Sequence, residues 1–184
     1  MPIEYSFLQD SDICYARYIG LVTAADLEAN YGRYLSDKNY VPGRPELIDL
    51  SECDFSALTY ASLSPLANFV DQANMAAGTT TLTCLYGPTN TSFGTARIYE
   101  AIAAPLKGLM VFVTRSQRDA MRFLQQPFSD IDTFLQTQTI VPACPAEAPD
   151  TEITANTEPA PAAERQYSAA PAADQKARKA RSSK

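Results

Sequence analysis

Two short runs, Leu82–Tyr86 and Leu109–Val113, are almost wholly apolar, and a stretch with helical spacing separates them. Strands covered by helices on both faces read this way, and such strands belong to parallel sheets. Both runs are therefore expected as central strands. Upstream, Ile3 to Leu8 and Ile13 to Ile19 are β-type runs, joined by the turn Gln9-Asp10-Ser11-Asp12 that suits a hairpin. Thr23 with Asp26 forms an approximate capping box, and Leu27, Tyr31, Tyr34 and Leu35 mark the apolar face of the helix that follows. Pro42-Gly43-Arg44-Pro45 breaks the chain before the compact strand Leu47-Ile48-Asp49-Leu50.

A second helix carries Leu63, Leu66, Val70 and Ala73, with an early start from Thr59 and Pro65 near its first turn, where proline is tolerated. Thr80 to Tyr86 is a strand, Phe93 to Leu106 a helix, and Ser116 with Asp119 caps a last helix through Ala120, Phe123 and Leu124. The order is ββαβαβαβα. It predicts an α/β domain over residues 1–126, with a mixed, mostly parallel sheet covered by helices. Residues 127–140 predict an extra amphipathic helix, capped by Ser129, whose Phe128, Ile131, Phe134 and Leu135 dock on the same domain.

Composition changes near Ile140. All seven glycines precede it, and prolines and alanines dominate after it. Residues 141–184 are expected as a disordered tail, because such a segment buries too little apolar surface to offset its ordering entropy. The tail ends in the basic run Lys176 to Lys184. Its acidic and basic residues balance, so the net charge of −6 falls on the folded part. A domain of that sign repels nucleic acid over most of its surface. No apolar run is long enough to span a membrane, and Met1-Pro2-Ile3-Glu4-Tyr5 lacks a signal-peptide pattern, so a cytoplasmic location is expected.

The chain has no histidine, which excludes serine–histidine and cysteine–histidine catalysis. Cys14, Cys53, Cys84 and Cys144 have neither zinc nor redox spacing, and three of them sit in or beside apolar runs, where a free cysteine behaves as a small buried hydrophobe. Asp49, Glu52 and Asp54 cluster after a strand but read as loop acids, so no metal or other cofactor is expected. The loop Gly87–Gly94 lacks the lysine and spacing of a phosphate-binding loop.

The segment Ser92-Phe93-Gly94-Thr95-Ala96-Arg97-Ile98-Tyr99-Glu100 places a charged pair three residues apart beside a strand end, where α/β folds bind ligands. Tyr86, Phe93, Gly94, Arg97 and Glu100 are the candidate partner- or ligand-binding residues. Thr59 and Ser62 are candidate phospho-acceptors at a helix start, although helix capping explains the same residues more simply. No residue is assigned a catalytic role.

Leu47-Ile48-Asp49-Leu50, the Phe93–Glu100 segment, and Val111-Phe112-Val113 followed by Arg118-Asp119-Ala120 and Phe123-Leu124 together resemble bacterial STAS-like proteins. These are similar to the sporulation anti-sigma-factor antagonist. The resemblance covers about residues 3–124 and follows the phrase "Tyr/Phe, Gly, two residues, Arg, two residues, Glu". It implies a helix-covered sheet with a regulatory role exerted through a protein partner. The aspartate-serine-serine-glycine-like phosphorylation box of the antagonists is absent from Asp54 to Ser62. The expected function is a non-enzymatic binding domain. One alternative is a carrier of a lipid or small apolar ligand, with a cavity lined by Phe69, Tyr86, Phe93 and Phe112. Another is an enzyme that uses Asp, Glu, Tyr or Arg without histidine.

Overall fold

The computed structural model describes residues 2–144. Its elements are β1 (Ile3–Leu8), β2 (Ile13–Leu21), α1 (Ala24–Leu35), β3 (Glu46–Asp54), α2 (Tyr60–Ala76), β4 (Thr81–Tyr86) and α3 (Asn90–Ala103). They continue with β5 (Leu109–Thr114), α4 (Gln117–Phe123), α5 (Ile131–Gln136) and β6 (Ile140–Pro142). The strands form one six-stranded sheet in the order β5-β4-β3-β2-β1-β6. β2 to β5 are parallel neighbours, and β1 pairs antiparallel with both β2 and β6. The fold is α/β with a mixed sheet covered by helices.

Winding decides which face each helix covers. From β2 to β5 every crossover steps to the next strand in the same direction. Right-handed crossovers in one direction place all their helices on one face. Leu27 of α1, Leu63 and Ala67 of α2, and Ala96 and Ile102 of α3 accordingly share one core with Leu50, Leu85 and Val113 of the sheet. The opposite face carries Leu8, Ile13, Leu47, Cys84 and Tyr86, and it is closed by α4 and α5 through Met121, Leu124, Ile131 and Phe134. The chain then reaches the far edge, where Leu8, Phe7 and Ser6 pair with Ile140, Val141 and Pro142.

Local chemistry sets the boundaries. Thr23, Thr59 and Thr89 each cap a helix and complete a capping box with Asp26, Ser62 and Ser92. α2 therefore starts early, at Tyr60, but Pro65 sits one turn deeper than expected, inside the helix. α3 begins at Asn90, ahead of the expected Phe93, because the Thr89–Ser92 box nucleates it inside the turn-rich loop. Asp130, not Ser129, caps α5 and accepts the Thr133 amide at 2.7 Å.

Two further expectations change. Leu109–Val113 is an edge strand and not a central one, and Met110 is 53% exposed. Its apolarity follows from cover above and below: Leu109 packs with Val70 and Ala103 on one face, and Phe112 stacks on Phe123 at 4.7 Å on the other. The boundary at Ile140 is also displaced, since Ile140–Pro142 is a strand of the sheet. The Asp37 carboxylate anchors the segment beyond it by accepting the Cys144 amide at 2.8 Å. The rest of the expected tail, residues 145–184, lies outside the described residues.

Phe134 is fully buried under the sheet, so α5 is part of the core. Phe134→Ala is expected to cost about 3–5 kcal/mol, the usual penalty for deleting a buried phenyl ring. Chemical denaturation checks this. A loss below about 0.5 kcal/mol, typical of a surface change, would mark α5 as an appendage.

Candidate functional site

Cys14 of β2, Glu46 of β3 and Thr83 of β4 are register partners across three adjacent parallel strands. All three face the side covered by α1, α2 and α3, and there they line a cavity of about 90 Å³. Glu46 opens β3 directly after Pro45, in phase with Ile48 and Leu50, so the pleat that buries those two also carries the carboxylate inward. Glu46 is 8% exposed. The Thr83 hydroxyl donates to Glu46 Oε2 at 2.8 Å, and the Tyr34 hydroxyl of α1 also favours its charged form. Among the described residues, no lysine or arginine forms an ion pair with it.

Tyr18 from β2, Tyr31 and Tyr34 from α1, and Tyr99 from α3 converge on the same cavity. Leu27, Leu63, Leu66 and Val70 supply its aliphatic wall. The tyrosines are held by ring contacts. Tyr34 packs edge-on against Tyr31 at 5.8 Å and Tyr40 at 5.0 Å, and Tyr18 against Phe55 at 6.2 Å. Glu46 is the sole carboxylate of the lining, and no basic side chain is part of it.

Burial disfavours the charged form and pushes the Glu46 carboxyl from an ordinary 4.5 up to about 7, while the Thr83 and Tyr34 hydroxyls oppose the rise. Burial also raises Tyr18, Tyr31, Tyr34 and Tyr99, and the neighbouring Glu46 charge raises them further. Cys14 moves upward for the same two reasons, so its thiol stays protonated and unreactive. Glu46 is therefore the one group facing the cavity whose proton exchanges near neutral pH.

The structure does not assemble the expected site as one unit. Tyr86 lies on the opposite face of the sheet, under α4, where its hydroxyl accepts from Gln117 Nε2 at 3.4 Å. Phe93 sits half-buried on α3 with the Arg115 guanidinium 4.4 Å above its ring. Gly94 borders open space. Arg97 and Glu100 form an ion pair, with Arg97 56% exposed. Such exposed pairs contribute only ~0.3–0.5 kcal/mol. Thr59 and Ser62 cap α2. The expected cavity lining also differs: Phe69 is exposed, Phe112 lies on the α4 side, and none of Phe69, Tyr86, Phe93 or Phe112 lines the cavity found here. Asp49 points to the α4 face and accepts the Tyr15 hydroxyl at 3.2 Å. No metal-binding cluster occurs among the described residues.

The residues of the cavity were visible in part. Tyr31 and Tyr34 stand out as polar-tipped members of an apolar helix face, and Tyr99 lies inside the Phe93–Glu100 segment. Glu46 falls just outside the Leu47–Leu50 run. Its identical parity with Ile48 and Leu50 was the signal that would have placed it indoors. Comparison with protein-family models, with curated proteins and with solved structures finds no match.

Because its pKa is raised in the fold, Glu46 stabilises the protein fully below about pH 4.5, and that contribution is lost as pH rises through about 7. Glu46→Gln keeps the shape and removes the titration. The variant is expected to match the native protein near pH 4.5 and to exceed it above pH 7 by on the order of 3 kcal/mol. Urea unfolding of both proteins across this range checks the sign. A native protein that gains on the variant as pH rises contradicts the placement of Glu46.

Proposed function

We propose that this chain is a non-catalytic, STAS-like binding domain that holds a small, largely apolar ligand under α1, α2 and α3. The observation that carries this reading is the cavity itself: an aliphatic and tyrosine-lined space with one inward carboxylate. Small-molecule sites combine mostly apolar walls with a few polar groups that fix orientation. At about 90 Å³ the space exceeds the ~10–15 Å³ a water needs and is smaller than the ~150 Å³ cavity known to admit benzene. The ligand is accordingly a molecule of a few heavy atoms, and a long acyl chain does not fit.

Binding is favoured over catalysis by the ionisation pattern. Acid–base chemistry near neutral pH works best with two groups of separated pKa in one site. Here Cys14, Tyr18, Tyr31, Tyr34 and Tyr99 are all pushed away from neutrality, which leaves Glu46 without a second proton-transfer group. The ligand site takes precedence over a protein-binding surface at Phe93–Glu100. α3 nevertheless serves both readings, since it carries Arg97 outside and Ala96 and Tyr99 inside.

The test is a methyl NMR titration of the full chain with short aliphatic alcohols and amines. Saturable shifts are expected at the inward methyls of Leu27, Leu63, Leu66 and Val70. Ala96→Leu, which adds volume at a 2% exposed lining position, is expected to weaken them at least several-fold. Shifts confined to exposed methyls such as Leu21, or none at all, would refute the site.

A further inference from the structure

The proposed ligand site leaves one charge unanswered. Glu46 is more than nine-tenths buried, receives a hydroxyl hydrogen bond from Thr83 and has no cationic partner among the described residues. Buried charges in proteins are normally paired, because an isolated one is far costlier than a paired one. The Thr83 hydroxyl donates to it and the Tyr34 hydroxyl acts in the same direction, an arrangement that favours the carboxylate form. Tyr18, Tyr31, Tyr34 and Tyr99 share its cavity, and aromatic rings carry faces of negative electrostatic potential that attract a cation. No lysine or arginine lines the cavity to receive an acidic or phosphorylated ligand. The chain's net charge of −6 adds a field of the same preference.

Resting on the ligand-binding reading above, we propose that the ligand is a small protonated amine. Its ammonium group sits against the Glu46 carboxylate among the rings of Tyr18, Tyr31, Tyr34 and Tyr99, and its short alkyl body lies along Leu63, Leu66 and Val70. The bound cation supplies the missing partner. It also makes uptake pH-dependent, because the carboxyl must release its proton to hold the ammonium.

The groups around Glu46 leave that dependence to Glu46 alone. Cys14 and Tyr18 face it from β2, Tyr31 and Tyr34 from α1, Tyr40 from the loop after α1, and Tyr99 from α3. All of them are pushed upward and stay neutral at physiological pH. Arg44 and Asp37 act on Cys14 from farther out with opposite signs. α2 and β5 contribute only aliphatic side chains to the lining.

The experiment is isothermal titration of the full chain with three molecules of matched length: n-butylammonium, 1-butanol and butanoate. At about pH 8, where Glu46 is mostly ionised, the ammonium is expected to bind at least about ten-fold more tightly than the alcohol, with no binding of the carboxylate. Glu46→Gln is expected to bring ammonium and alcohol to within about two-fold. In the native protein, lowering the pH to about 5 is expected to weaken ammonium binding by about ten-fold or more and to leave the alcohol unchanged. The pH series stands even if the variant fails to fold. Equal affinity for alcohol and ammonium at pH 8, or ammonium affinity that ignores pH, would overturn the cation assignment and leave the cavity as a neutral-ligand site. Failure of all three molecules to bind would overturn both readings.

Discussion

The handedness of the crossovers governs this molecule. Four parallel strands, β2 to β5, are laid down in spatial order, and right-handed connections then leave α1, α2 and α3 no choice of face. Three helices crowd one side of the sheet and none of the crossovers covers the other. The chain after β5 has to supply that cover, and α4 and α5 do so with Met121, Leu124, Ile131 and Phe134 before β6 closes the far edge. Because the core has two halves built by different parts of the chain, loss of either exposes an apolar sheet face.

The same constraint creates the cavity. Side chains alternate across a strand, so the residues of β2, β3 and β4 that face the three helices form a row across the sheet. At Ala16, Ile48, Leu50 and Leu85 that row is aliphatic. At Cys14, Glu46 and Thr83 it is small or polar, and the helices above it contribute Tyr31, Tyr34 and Tyr99 beside their leucines. The helices cannot close down on a carboxylate as they would on an isoleucine, because a packed apolar contact would strip its hydrogen bonds. Glu46 is therefore a deliberate weak point in the core. It costs stability as it ionises, and a leucine there would pack without that penalty. A local rule broken in this way is what a binding site looks like in a fold that otherwise obeys its pattern.

Much of the fold was legible because its signals are local. The Thr–x–x capping boxes, the hairpin turn and the apolar runs each report on a few neighbouring residues. The position of β5 was not legible, because an apolar run records cover above and below a strand and says nothing of neighbours beside it. β6 was hidden because Ile140–Pro142 is three residues long and pairs with a strand more than a hundred residues earlier. The site was harder still. Arg97, Glu100 and Phe93 attract notice by their chemistry, yet helix phase turns Arg97 to solvent while Tyr99 turns inward. Tyr86 is one strand position from the cavity-lining Leu85, and that single step places it on the other face. Glu46 and Thr83 meet only through parallel register, which no local pattern encodes.

Glu46 is a buried carboxyl that faces the cavity. Its side-chain carboxyl carbon, followed by NMR as pH is varied, reports this directly. A midpoint near 7 is expected in the free protein, displaced downward when n-butylammonium is present, because a cation favours the ionised form. A midpoint at about 4.5, unmoved by the amine, would show an ordinary solvated glutamate and contradict it.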